Sequence, residues 1–289
     1  MVEIGDLLLA MYGATSGDIA ISKIKGAINQ AILCIRTNQN KKFIESVWNK
    51  HVSKILRKYL QGGQGNLSAD IVKGISFSFP TLEEQERIAN LISLLDERIA
   101  TQNKIIDKLQ SLIKGIAQKI VRSNKPNVRL SECLECNSST LQESDVCEHG
   151  TYPVYGANGI VGYLNNYNTE GEAVYIIKDG SGVGTVSYVT GKCSATGTLN
   201  TLQAKEGYFL QYLYYLLKVF NFEPYKTGMA IPHIYFKDYG KAKVFCPSYT
   251  EQLQYARLLS AIESNLSIEI NILTNLSLQK QYLLRQMFI

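Results

Sequence analysis

Residues 82–116 read LEEQERIANLISLLDERIATQNKIIDKLQSLIKGI, and this stretch decides the fold. No proline occurs from Glu83 to Arg122, and Gly115 is the only glycine there. Apolar residues fill the two core positions of each heptad across this stretch, with Gln102 as the one exception. A pattern of this length predicts one long helix with a narrow apolar seam that suits pairing with another helix.

A second copy of the pattern closes the chain. Residues 80–85 read PTLEEQ and residues 247–252 read PSYTEQ, and the same shift along the sequence places Glu269 at the position of Gln102. We interpret this as an internal duplication of a globular unit followed by a long helix. The predicted helix-pair seam consists of Ile92, Leu95, Ile99, Gln102, Ile106, Leu109 and Ile113 in the first helix and of Ile262, Leu266, Glu269, Leu273 and Leu276 in the second.

Two matched seams in one chain favour packing of the two helices on each other. Short connections after each helix make the pair antiparallel, and Gln102 would then meet Glu269 in a polar contact that fixes the register. A helix of this kind spans roughly 60 Å at 1.5 Å per residue, so we interpret the helices as spacers. The alternative is that each long helix packs on its own globular unit.

The sequence therefore predicts an α+β fold in which two mixed α/β domains are separated by two long helices that form an antiparallel coiled coil. The boundaries are 1–80 for the first domain, 81–122 for the central helix, 123–249 for the second domain and 250–289 for the C-terminal helix. The first domain lacks a counterpart of 128–165. We expect it to be shortened at its N-terminus, and to be less stable or completed by a partner.

Short apolar stretches and an amphipathic segment repeat inside each domain. In the first domain they predict strands over 6–13 and 18–25, a helix over 41–61 and a final strand over 75–80. In the second domain they predict strands over 173–178 and 184–191, a helix over 207–220 and a final strand over 242–247. Residues 152–166, which open with YPVYGANG, are typical of loop-rich β-structure.

Charge is spread unevenly along the chain. The net charge is +5, and residues 1–80 and 173–249 are the basic stretches. Such stretches suit a phosphate backbone, although many ordinary proteins carry them. No apolar run reaches the length of a membrane helix, and the N-terminus makes a poor signal peptide. The six scattered cysteines fit reduced thiols, so we expect a cytoplasmic protein without a membrane partner.

No catalytic pattern is present in the sequence. The GSGVG of 180–184 precedes a predicted strand rather than a helix, and no Gly-Lys-Ser/Thr follows it. The three histidines fall in no triad, and neither an adenine-methyltransferase motif nor a nuclease cluster of carboxylates and lysine occurs. Cys133, Cys136, Cys147 and His149 have metal-binding side chains at a spacing that fits zinc sites poorly. We therefore expect no catalytic residue and no metal.

The duplicated layout resembles the specificity subunits of type I restriction–modification enzymes. The resemblance covers nearly the whole chain and rests on 82–116, on the weaker second copy at 249–288 and on YPVYGANGIVGY at 152–163. It implies that each domain is a target-recognition domain that reads one half of a split site in double-stranded DNA. It also implies that the helices fix the gap and dock two methyltransferase subunits, with restriction and motor subunits joining.

The same resemblance implies that this chain holds no cofactor. S-adenosylmethionine, ATP and Mg²⁺ are then expected only in partner subunits. Self-association through the long helices is a further arrangement left open. The shortened first domain departs from the family pattern, so the alternative function is a truncated or silent recombination cassette that acts only as a coiled-coil interaction module.

Candidate DNA contacts lie on one helix and several loops. The basic residues of 50–58 recur at spacings of three and four, which places them on one helix face, where a solvated surface is the alternative. Gln64 and Asn66 can pair with adenine, and the neighbouring glycines permit close approach. Turns like those at Asn158 and Ser181 also occur in proteins where the turn binds no ligand. The candidates are Lys50, Lys54, Arg57, Lys58, Gly63, Gln64, Asn66, Asn158, Ser181, Lys226, Thr227, Gly228 and His233.

Overall fold

The structure is a computed structural model, and it describes residues 1–59 and 67–287. The chain forms two compact units. Unit 1 comprises Met1–Ile106 together with Ile268–Ile289, and unit 2 comprises Asp107–Ser267. Each unit thus combines one globular part with a stretch of both long helices, α3 (Leu82–Arg122) and α7 (Tyr249–Met287).

Unit 1 packs a small antiparallel sheet against a helix. The strand order is β2-β1-β3, and Trp48 is buried behind the sheet, where its indole N–H donates to the Gly17 carbonyl at 2.7 Å. Leu9 and Leu67 complete the same core. The elements before α3 are β1 (Leu7–Ala10), β2 (Ile19–Ile21), β3 (Ile32–Ile35), α1 (Lys41–Tyr59) and α2 (Ala69–Lys73).

Unit 2 is larger and contains three sheets. A four-stranded antiparallel sheet has the order β5-β11-β8-β9, a second sheet has the order β10-β6-β7, and β12 pairs with β4. The strands are β4 (Val128–Arg129), β5 (Leu134–Ser138), β6 (Tyr152–Gly156), β7 (Gly159–Leu164), β8 (Ala173–Ile177), β9 (Val186–Val189), β10 (Ser194–Ala195), β11 (Leu199–Ala204) and β12 (Lys243–Val244). The helices between α3 and α7 are α4 (Leu130–Cys133), α5 (Leu210–Val219) and α6 (Phe236–Tyr239).

The two long helices pack against each other in antiparallel fashion. Within unit 1, Gln102 donates its amide N–H to the Glu269 carbonyl at 3.1 Å and also to the Glu269 carboxylate. Earlier in α3, Asp96 accepts from Lys280, which lies later in α7. As one helix advances the other retreats, which defines the antiparallel direction. The predicted fold class is therefore confirmed.

The core positions of the heptads are shielded from water, as the pattern predicts. Every seam position from Ile88 to Ile120 and from Tyr255 to Met287 is buried or half-buried. Within unit 2 the end of α3 joins the core of its own globular part, where Ile113 and Leu259 belong to one cluster. Along the described residues, 1–59 and 67–287, no helix is long and apolar enough to cross a membrane.

A buried glutamine links each long helix to its globular part. In unit 1 the Gln85 amide donates to the Pro80 carbonyl at 3.0 Å and accepts from the Asn40 N–H, also at 3.0 Å. In unit 2 the Gln252 amide donates to the Pro247 carbonyl at 2.9 Å and accepts from the Phe209 N–H at 2.8 Å. These bonds explain why glutamine follows proline by five residues in both copies.

Most of the predicted local elements are present, but the strand predicted over 75–80 is wrong. Residues 75–80 belong to no strand and have no sheet partner, although Phe79 still packs edge-on against Phe43 at 5.6 Å. Its counterpart β12 forms a strand because β4 lies beside it. In the described part of unit 1 no strand occupies the place of β4, so 75–80 has nothing to pair with.

Replacing Gln252 with alanine tests the role of the buried glutamine. The substitution leaves the Phe209 N–H and the Pro247 carbonyl without their partner, so we expect a loss of about 1–3 kcal/mol in the free energy of unfolding of unit 2. Urea denaturation of the full chain measures it. Gln254→Ala on the exposed side of the same helix is the matched control and should stay within about 0.5 kcal/mol. Equal losses for both variants would contradict the account.

Candidate nucleic-acid interface

A basic stripe on α1 marks the surface of unit 1. Lys54, Arg57 and Lys58 are exposed, and among the described residues none of them forms an ion pair. Lys50 is half-buried, and its ammonium donates to the Arg285 carbonyl at 3.4 Å, at the end of α7. The structure therefore leaves three of the four predicted cations available to an anion and ties the fourth to the helix pair.

His51 lies beside this stripe, and the charge of the stripe affects its pKa. Its ring is 5.6 Å from that of Phe77. Burial lowers the pKa of His51, and the positive charges of Lys50 and Lys54 lower it further. The imidazole is thus a built-in probe of the electrostatic potential at the stripe. The adjacent candidates Gly63, Gln64 and Asn66 lie outside the described residues.

Unit 2 carries a loop with a firmly closed base. Thr227 and His233 exchange two backbone hydrogen bonds of 2.9 and 2.7 Å, which close the loop between them. Gly228 has φ +90°, and a Cβ atom there would lie 2.2 Å from the Ile231 carbonyl oxygen. Only glycine fits this position, because an L side chain would meet both the unfavourable φ and the backbone.

The structure brings this loop together with the turn after β8. The Gly180 N–H donates to the Pro232 carbonyl at 3.0 Å, and His233 Nδ1 lies 2.7 Å from Asp179 Oδ1. Ser181 is exposed on that turn. Two candidates far apart in sequence therefore form one surface. Asn158 is not part of it, because it is exposed at the tip of the β6–β7 hairpin in another sheet.

Two clefts adjoin the ends of this loop. Lys226 lines a cleft of about 420 Å³ together with Lys218 and Asn221, and its ammonium is 2.6 Å from Glu223 Oε1. His233 lines a second cleft of about 560 Å³. Both clefts combine cations with polar side chains, which is the chemistry that binds phosphate and base edges.

Sequence reasoning missed two cations of the second cleft. Lys178 directly follows β8 and Lys237 lies in α6, and the cleft places them with His233. The Lys237 ammonium lies 5.2 Å from the centre of the exposed Tyr235 ring. No spacing rule connects these positions, because the sheet and the loop bring them together. Their only signal was membership of the basic stretch 173–249.

The cysteines of unit 2 lie in different surroundings. Cys133 is buried against the core, Cys147 is exposed on a loop, and burial raises the pKa of Cys136 to about 11. Over the described ranges no group of three or more His, Cys, Asp or Glu side chains is placed to hold a metal ion.

Comparison with known proteins identifies the family. Residues 2–111 and 123–278 match the family model described as type I restriction modification DNA specificity domain. The chain belongs to this family.

Curated relatives resemble part of the chain. The MjaVIII specificity subunit of Methanocaldococcus jannaschii is 28% identical over 125 residues, which are 42% of this chain and 29% of that protein. The EcoprrI specificity subunit of Escherichia coli is 26% identical over 113 residues, 39% of this chain and 28% of that protein. The matched stretches thus span less than a third of either relative.

A longer match joins this chain to a putative type I specificity subunit of Mycoplasma genitalium, S.MgeORF438P. It is 24% identical and covers 71% of this chain and 59% of that protein. A crystal structure of a type I S subunit from M. genitalium has a TM-score of 0.70 at 18% identity and covers 99% of this chain and 83% of that one. This likeness shows a shared fold.

Neutralising the stripe on α1 should raise the pKa of His51. Lys54→Gln removes one of the positive charges that lower it, so the imidazole should hold its proton to a higher pH. NMR titration of the histidine ring resonances measures the change. Lys73→Gln, which removes another exposed cation, on α2, is the control and should leave the His51 titration in place. An unchanged His51 pKa in Lys54→Gln would show that the stripe does not act on it.

Proposed function

We propose that this chain is a non-catalytic subunit that reads DNA sequence for a type I restriction–modification complex. The observation that carries the proposal is the surface of unit 2, where the loop of 226–233 and the turn of 179–184 are joined by hydrogen bonds and flanked by two clefts with lysines. Family membership supports it. A fixed backbone is what sequence reading requires, because base contacts depend on placement to within a fraction of an ångström.

Lysines and uncharged polar side chains have different roles in the proposed interface. Lysines such as Lys178 and Lys237 bind phosphates and place the domain on the duplex, whereas Asn221 and His233 offer hydrogen-bonding groups to base edges. In unit 1 the stripe of Lys54, Arg57 and Lys58 contributes phosphate contacts. Each unit then reads one half of a split site in double-stranded DNA.

The long helices offer a surface for partner subunits. Several apolar side chains of the long helices are exposed to water. They are Leu91, Leu94 and Ile105 of α3 and Ile268 and Ile272 of α7. Neither helix requires exposed apolar side chains for its own folding. We propose that methyltransferase subunits, two per complex, cover such faces, with restriction and motor subunits joining in the cytoplasm. S-adenosylmethionine, ATP and Mg²⁺ belong to those partners.

The same exposed residues favour the second candidate function, a coiled-coil interaction module that binds no DNA. Fluorescence anisotropy with a random-site duplex pool separates the two, measured with and without methyltransferase subunits. The DNA-reading function predicts a bound fraction that can be selected and enriched for one sequence. Assembly with the subunits but no binding to any duplex would establish the interaction module instead.

Substitutions in the first cleft of unit 2 test how it binds. Lys226→Ala should weaken binding about equally on all sequences and reduce the slope of log affinity against log salt by about 1. Glu223→Gln is its matched opposite, because it removes the carboxylate that competes with phosphate for Lys226, so affinity should rise. The salt slope is measured on the selected duplex and on unrelated DNA. Identical slopes for wild type and Lys226→Ala would remove this lysine from the interface.

Gln64→Ala should instead relax discrimination between sequences while changing the salt slope little, because an amide reads base edges rather than phosphates. The comparison uses the selected duplex and single-base variants of it. Retained discrimination by Gln64→Ala at every base pair would exclude Gln64 as a reader.

A further inference from the structure

The tip of the loop in unit 2 presents apolar side chains to water. Met229 is fully exposed and Ile231 is 57% exposed, with the exposed Ala230 between them. We call these three residues the apolar tip. Burial of such side chains is favourable, so a tip held out in solvent leaves free energy that a bound partner can recover.

The base of the loop prevents the apolar tip from folding back. The paired backbones of Thr227 and His233 fix both ends, and the Gly180 N–H holds the Pro232 carbonyl from the neighbouring turn. The turn at Gly228 is too tight for any side chain. A loop anchored at its ends loses little conformational entropy on binding, which suits insertion into a narrow space.

Cationic side chains lie at both ends of the same loop, and Lys226 is paired with Glu223. Lys226, at the start, lines the first cleft, and His233, at the end, lines the second cleft with Lys178 and Lys237. An apolar element flanked by cations matches a duplex, in which stacked bases lie between two charged backbones. A protein surface of ordinary composition would not require cations on both sides.

We propose that the apolar tip is a wedge that enters the DNA duplex and partly unstacks one base step, with Met229 and Ile231 as the inserted side chains. The inference rests on the proposed function. Proteins that insert apolar side chains between base steps kink the duplex, at a cost that depends on the step. Pyrimidine–purine steps deform most easily, so the wedge selects sequence at a step whose base edges need no contact.

The wedge predicts a specific response to weakened stacking. A mismatched base step is already less well stacked, so the wedge needs less free energy to open it. A mismatch at the wedged step should therefore tighten binding by about tenfold, whereas mismatches elsewhere should weaken binding. The probe is a duplex selected from the random pool by the full chain with its methyltransferase subunits. A set of single mismatches along this duplex, measured by anisotropy, locates the step.

Variants of the apolar tip give the decisive comparison. In Met229→Ser/Ile231→Ser the gain from the mismatch should disappear, and in Met229→Leu it should persist because the leucine still fills the gap. Ile160→Ser is the matched control, since Ile160 is also an exposed apolar residue but lies on β7. Circular dichroism of each variant confirms the fold before binding is measured.

Several outcomes would overturn the wedge while leaving DNA reading intact. One is tight binding to the matched duplex with no mismatch that tightens it. Another is a loss confined to exchange of thymine for deoxyuridine, which would place the tip against a thymine methyl group in the major groove. A third is failure of the tip variants to assemble with the methyltransferase subunits, which would make the tip a protein contact. Absence of binding to any duplex would instead overturn the proposed function itself.

Discussion

The antiparallel pairing of α3 with α7 is the constraint on which the rest of the structure depends. Seam residues are buried or half-buried along both helices, and the contact of Gln102 with Glu269 is a polar point that sets their register. A shift by one heptad would place both polar side chains against apolar partners and leave a buried amide without a hydrogen bond. The seam therefore specifies one alignment of the helices.

Each globular part is tied to this pair by its own polar contacts. In unit 1 the ammonium of Lys42, on α1, lies 2.6 Å from the Glu45 carboxylate and 2.9 Å from the carboxylate of Asp96, on α3. Asp96 also accepts a hydrogen bond from the ammonium of Lys280, on α7. Burial would raise the pKa of Asp96, but the hydrogen bonds from Lys280 and Lys42 outweigh it and lower that pKa. Asp96 is thus an anion held between two cations, which joins three helices at one point.

In unit 2 different residues tie the globular part to the long helices. Glu263 of α7 accepts from Tyr214 at 3.1 Å, from Tyr215 at 2.6 Å and from Lys218 at 2.8 Å, all three on α5. Burial would raise the pKa of Glu263, and the hydrogen bonds from Lys218 and the two tyrosines lower it. The shared element is the glutamine at 85 and 252, whereas the ion pairs beside it have diverged.

The sequence was sufficient for the parts governed by local periodicity. The heptads predicted both long helices, because apolar residues recur at a countable spacing, and the short connections predicted the antiparallel direction. It failed over 75–80, since an alternating pattern says nothing about whether a neighbouring strand exists. It also missed Lys178 and Lys237, because the cleft that gathers them is formed by the sheet and a distant loop. The predicted contacts and domain boundaries remain predictions.

We propose that this chain directs a methyltransferase to a DNA site in two parts. Methylome mapping of a host that expresses the chain with its methyltransferase subunits tests it most directly. The account predicts new adenine methylation at one motif, in which two specified stretches flank a gap of fixed length and any sequence. New methylation at a single uninterrupted motif, or none despite an assembled complex, would contradict it.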